Sequence, residues 1–197
     1  MTVTLAPETL IPEGTWSIDP SHSTLEFAVR HLGIATVKGR ATGFTGTITG
    51  GAAAAVEGTV PVSSLTTFDE SRDGHLASPE FFDADRYAEL SFVSTSVAQI
   101  GDEVVVEGDL TIKGITRPVE LRGEIAGTGT DPWGNTRIGL DLAGTIDRTD
   151  FDLSWNAPLP GGGFLLGDEV ALAASFSAVK TPELALELAL ELALELS

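Results

Sequence analysis

Hydrophobic and polar positions alternate with a period of two along most of the chain. Leu25, Phe27 and Val29 stand against Thr24, Glu26 and Arg30, and Val104, Val106, Gly108, Leu110 and Ile112 against Glu107, Asp109 and Thr111. The alternation continues through Val119, Leu121, Gly123 and Ile125, through Ile138, Leu140, Leu142, Gly144 and Ile146, and through Val170, Leu172, Ala174 and Phe176. Weaker versions occupy 44–49, 54–62 and 89–98. Strict alternation sends one parity to an apolar face and the other to water, as in antiparallel strands solvated on one side. About eight strands result. Turn signals at Gly50-Gly51, Gly101-Asp102 and Pro132-Trp133-Gly134-Asn135 separate them. The pattern predicts an all-β sandwich or barrel over residues 14–180.

Three segments depart from the alternation. Asp69–Leu76 and Ser78–Phe82 carry N-cap and first-turn proline signals for one or two short helices, too short to form a layer. They read as a connection lying over one barrel end, with Arg72 and Asp73 tying it down. Residues 1–13 form a polar, proline-containing leader. Residues 181–197 hold a repeat of Glu-Leu-Ala-Leu, whose composition favours a C-terminal helical tail. About 15 residues are marginal as a lone helix. The tail is therefore either a repeat expansion, or a helix that assembles copies or covers the barrel mouth.

Charge and composition narrow the function. The 197 residues carry 11 Lys and Arg against 29 Asp and Glu, a formal charge of −18. Such a surface repels phosphate backbones and anionic membrane faces, which argues against nucleic acid and against polybasic docking. There is no cysteine, so thiolate chemistry and disulfides are excluded. No apolar run reaches the ~18 residues of a membrane helix, and Met1–Glu8 lacks the basic and apolar regions of a secretory signal. A cytoplasmic location is the expectation, secreted or periplasmic if a signal has been removed. A porin-like reading, with the apolar parity facing lipid, lacks its aromatic girdle, since only Trp16, Trp133, Trp155 and Tyr87 could supply one. The apolar parity therefore faces inward. That parity includes Gly46, Gly58, Gly108, Gly123, Gly144 and Ala174. Two readings follow: small residues leave an apolar cavity, or they only relieve strand coiling in a packed sandwich.

Catalytic signals are weak. His22, His31 and His75 have no metal-helix spacing, although a spatial site built from all three stays open as a metal-dependent enzyme. Gly-x-Ser-x-Gly is absent. Gly161-Gly162-Gly163 has no following Lys-Ser/Thr and reads as a turn rather than a phosphate loop. The acids Asp69, Glu70, Asp73, Asp83 and Asp85 read as capping and solvated groups.

Several segments taken in order resemble the YceI-like, polyisoprenoid-binding, lipocalin-like family. They are Trp16–Ser23, Phe27–His31, Val37-Lys38-Gly39, Arg72–Leu76, Phe81-Phe82-Asp83 with Tyr87, Phe92-Val93-Ser94, Gly108–Val119, Asp147–Phe151 and Gly167–Val170. The resemblance implies an extended eight-stranded antiparallel lipocalin-like barrel with a long apolar lumen. It implies binding, transport or sequestration of a polyisoprenoid, prenyl quinone, fatty acid or amide, with no catalytic residues, no cofactor beyond such a lipid-like ligand, and a possible homodimer. By parity, Leu25, Phe27, Val29, Phe44, Ile48, Leu110, Ile112, Val119, Leu121, Leu140, Leu142 and Phe176 line the interior. Phe92 joins them by its match to the family, and Phe81 and Phe82 close one end.

Overall fold

The structure, a computed structural model, describes residues 11–100 and 103–182. Eleven strand segments follow one another: β1 (Gly14–Ile18), β2 (Thr24–His31), β3 (Ala35–Ala41), β4 (Thr45–Gly50), β5 (Ala55–Pro61), β6 (Leu65–Thr66), β7 (Glu89–Ile100), β8 (Glu103–Ile112), β9 (Ile115–Thr130), β10 (Thr136–Asp147) and β11 (Leu166–Lys180). One α-helix, α1 (Glu70–Ala77), lies between β6 and β7. All pairings are antiparallel. The order β1-β4-β5-β7-β8-β9-β10-β11 returns to β1 through Trp16↔Lys180, Ser17↔Val179 and Ile18↔Ala178. Eight strands therefore close a barrel, as the alternation predicts.

Eleven segments make eight wall strands because three of them are broken by kinks. β1 and β2 run along the same partner, β11, and are separated by a short turn of 3-10 helix at Pro20–His22. β3 and β4 are parted at 42–44, and β5 and β6 by a similar turn at Val62–Ser64. Each kink re-aims the wall without ending it. The β8–β9 hairpin shows how local chemistry sets register. Lys113 (φ 52°) and Gly114 (φ 73°) both adopt the left-handed conformation that a two-residue primed turn requires, so Ile112 falls opposite Ile115.

α1 is the single α-helix among the described residues. Asp69 caps it by accepting from the Arg72 amide at 2.9 Å. The second candidate, Ser78–Phe82, turns back on itself instead, with the Phe81 and Asp83 amides both donating to the Ser78 carbonyl. The Glu-Leu-Ala-Leu repeat lies outside the described residues.

The core divides by depth along the barrel. At one end Trp16, Ile48, Val104, Val106, Ile138, Leu140 and Ala178 pack into a solid plug, each at most 2% exposed. Ile11 closes it from outside at 3% exposure, its carbonyl accepting from the Gly51 amide, and the Trp16 indole donates to the Pro12 carbonyl at 3.1 Å. A smaller cluster of Ile112, Ile146, Phe151 and Leu153 sits at the other end. Between them the barrel is hollow.

Candidate functional site

The hollow is a cavity of about 820 Å³, in the upper part of the roughly 300–1,000 Å³ range of small-molecule sites. Its walls are the inward parity of nearly every strand: Leu25, Phe27 and Val29 from β2, Val37 and Ala41 from β3, Val56 and Val60 from β5, and Leu90 and Phe92 from β7. The circuit continues with Leu110 and Ile112, Val119 and Leu121, Leu142 and Ile146, and finally Val170, Leu172, Ala174 and Phe176. Phe44 and Phe176 stand tilted, with ring centroids 6.2 Å apart.

Thirteen of the fifteen residues predicted for the interior line this cavity: Leu25, Phe27, Val29, Phe44, Phe81, Phe82, Phe92, Leu110, Ile112, Val119, Leu121, Leu142 and Phe176. Ile48 and Leu140 also face inward but do not line it. They are 0% and 1% exposed inside the plug, on the same parity as Phe44 and Leu142.

The inward glycines do not act as missing volume. A Cβ on Gly39 would overlap the Phe27 ring, and one on Gly108 the Phe92 ring; at Gly144 the obstacle is Leu121 Cδ2. In each case the glycine lets a large neighbour lie back against the sheet, an aromatic or aliphatic cover over bare backbone. The lumen stays wide because the rings are flat against its wall.

The far end is a lid built from α1, the turn after it and the segment 153–167. The carboxylate of Asp73 accepts from Thr66 Oγ1, the Thr67 amide and Thr67 Oγ1, at 2.7, 2.7 and 2.5 Å. Burial pushes this carboxyl up, but those hydrogen bonds from Thr67 and Thr66 outweigh it and hold it below the usual carboxylate range. Arg72 donates to Thr67 Oγ1 at 2.7 Å and to the Thr67 carbonyl at 2.9 Å. The Arg72-Asp73 pair thus anchors the connection, as the sequence predicts. Beside it, His75, Phe81 and Trp155 form a three-ring cluster bordering the cavity, with centroids 4.9, 4.7 and 5.4 Å apart. His75 Nε2 lies 2.6 Å from Glu80 Oε2.

Arg148 holds the other half of the lid. At 4% exposure, its guanidinium donates to the carbonyls of Gly167 (2.9 Å), Leu153 and Trp155 (3.0 Å), and to Asp168 Oδ1 (2.8 Å). Asn156 adds a second clamp, accepting from the Leu166 amide and donating to its carbonyl. Sequence reasoning missed Arg148 and Trp155. The only signal was an arginine inside the Asp147–Phe151 motif, followed by an apolar segment without periodicity.

The three histidines do not meet. His22 binds Asp19 at 2.8 Å in the β1–β2 kink, His75 sits in the lid, and His31 borders the cavity from the end of β2. Among the described residues no group of three or more His, Asp or Glu side chains is placed to hold a metal ion, so the three-histidine site is corrected on geometry. Gly161–Gly163 is an exposed turn in which the Leu159 amide donates to the Gly163 carbonyl. Among the described residues no helix is long and apolar enough to cross a membrane.

A closed, up-and-down antiparallel barrel with one end plugged and an apolar chamber above the plug is a lipocalin-like barrel. The family is equally plain: residues 16–178 match the YceI-like domain, and the chain belongs to that family. It is similar to protein YceI of Shigella flexneri, 38% identical over 136 residues that cover 67% of this chain and 71% of that one. The crystal structure of Burkholderia cenocepacia BcnA superposes with a TM-score of 0.69 at 23% identity, covering 83% of this chain and 99% of that one. A polyisoprenoid-binding domain from Saccharophagus degradans, implicated in plant cell wall breakdown, superposes with a TM-score of 0.61 at 15% identity, covering 84% and 98%.

Proposed function

We propose that the protein binds one long apolar molecule in the barrel cavity and carries or sequesters it without chemical change. The observation that carries this reading is the chamber itself: about 820 Å³ enclosed by Leu, Ile, Val and Phe side chains above a solid floor. Burial of apolar area at roughly 25 cal/mol per Å² supplies the affinity, and the walls offer few groups that would reject a hydrocarbon chain. Polyisoprenoids, prenyl quinones, fatty acids and their amides fit that chemistry. The polyisoprenoid-binding domain that shares the fold supports the choice of cargo. A non-catalytic role is supported by the dispersed histidines and by the engagement of Asp19, Asp69 and Asp131 in a histidine contact, a helix cap and an ion pair.

Native mass spectrometry before and after organic extraction tests the reading. The expected result is a lipid-like mass that extraction removes, and rebinding of a prenyl quinone or a fatty acid at micromolar concentration. A protein that carries no such mass and binds neither compound refutes it.

A further inference from the structure

Two neighbouring loops at the cavity's edge combine exposed apolar side chains with a local absence of acids. The β2–β3 hairpin exposes Leu32 (40%) and Ile34 (80%), and the segment before β11 exposes Phe164 (64%). They adjoin: the Leu32 amide donates to the Leu165 carbonyl at 2.8 Å, and His31 pairs with Leu166. In a chain with 29 acidic residues, 27–56 contains no Asp or Glu and 153–167 contains no Asp, Glu, Lys or Arg. Arg30, Lys38 and Arg40 flank the hairpin, and among the described residues none of them has a carboxylate partner. Arg30 donates to Thr36 and the Gly33 carbonyl, and Arg40 lies 5.1 Å from the ring of Phe68, itself 69% exposed.

We propose that this face docks on a zwitterionic lipid bilayer. Isolated apolar anchors dip below the headgroups, while long cationic side chains beside them reach the lipid phosphates. The acid-free composition removes the repulsion that the rest of this surface would meet at those phosphates. Glu26, cross-strand from Arg40, and Asp168, in the bulge opposite Arg30, border this face, whereas charges more than ~10 Å away are screened at 0.1 M salt. A second copy is a poorer occupant, since a self-complementary contact would gather Arg30, Lys38 and Arg40 of both copies on one buried face. The same loops supply His31, Leu165 and Leu166 to the cavity rim. Docking there sets the chamber against the bilayer, where an apolar molecule exchanges without crossing water.

The proposal stands on the face and not on what fills the chamber, so sedimentation with sucrose-loaded phosphatidylcholine vesicles tests it apart from cargo binding. Wild-type protein should co-sediment, and the double substitution I34E/F164E should weaken that at least tenfold with an unchanged circular dichroism spectrum. Trp133, also 80% exposed, is in the β9–β10 turn at the plugged end, and W133E should bind as wild type does. I34E alone, severalfold weaker, serves if the double variant misfolds. The idea is overturned if wild type stays in the supernatant or W133E loses as much as I34E/F164E. It is also overturned if the wild type is a dimer that I34E/F164E converts to monomer.

Discussion

The plugged and hollow halves of the barrel are built from the same strands in the same alternation, yet one is solid and the other empty. In the plug, inward side chains meet across the axis: Trp16 and Ile48 from one side reach Val104, Val106, Ile138 and Leu140 from the other. In the hollow half the large side chains turn sideways. Phe27 covers Gly39 and Phe92 covers Gly108, and the axis is left free. Two positions of equal hydrophobicity thus do different work according to whether their neighbour is a side chain or bare backbone.

Truncation separates the halves most sharply. Leu140→Ala removes a side chain surrounded on all sides and should cost about 2–5 kcal/mol, whereas Leu110→Ala on the chamber wall should cost about 1 kcal/mol while weakening cargo binding. Urea midpoints of the two variants check the contrast, and equal costs would erase it. Next in size, Arg148→Met leaves the carbonyls of Leu153, Trp155 and Gly167 without their shared donor and should cost about 2–3 kcal/mol. Hydrogen exchange should quicken across 153–167 and stay slow in the plug.

Gly39→Ala tests the rings laid over glycine. The added methyl pushes Phe27 off the wall, so the variant should lose about 1–2 kcal/mol and bind a bulky prenyl quinone more weakly than a slim fatty acid. The smallest effect lies outside the plugged end. Arg137 bridges Asp19 at 2.9 Å and Asp131 at 3.0 Å, tying the β1–β2 kink to the β9–β10 turn. Hydrogen bonds from Ser21, Arg137 and His22 hold the Asp19 carboxyl far below its usual range. For Asp131 the largest cause is the Asn135 side chain, and its pKa falls to about 2. A carboxyl lowered in the folded state stabilises fully above its unfolded value near ~3.9 and loses that contribution as pH falls toward the folded value. Stability should therefore decline between about pH 4 and 2, and Arg137→Gln should flatten that decline in urea titrations.

The wall was legible in the sequence because a period of two decides inside from outside. That is why Leu25, Phe27, Val29, Leu110, Val119 and Leu121 could be assigned from parity. Depth was not legible. Ile48 and Leu140 share the parity of Phe44 and Leu142, and only the pairing of distant strands decides which of them meet across the axis. The glycines mislead for the same reason, since the ring that covers Gly108 belongs to another strand. Arg148 and Trp155 escape because aperiodic segments carry no pattern from which a side chain's direction can be read. The Glu-Leu-Ala-Leu helix expected at the C-terminal end lies outside the described residues.

The barrel's seam has a consequence for how the protein is made. β1 closes on the last residues of β11, and the Thr181 amide donates to the Thr15 carbonyl at 2.7 Å, so the ring joins the two extremes of the domain. On a ribosome, that closure waits until nearly the whole domain has emerged. Contacts of such long sequence separation also make folding slow. A circular permutant with 15 and 181 linked and new ends at Gly161–Gly163 would not escape this: the β1–β11 seam would become local, but the long β10–β11 pairing would then join the new chain ends, and closure would stay slow.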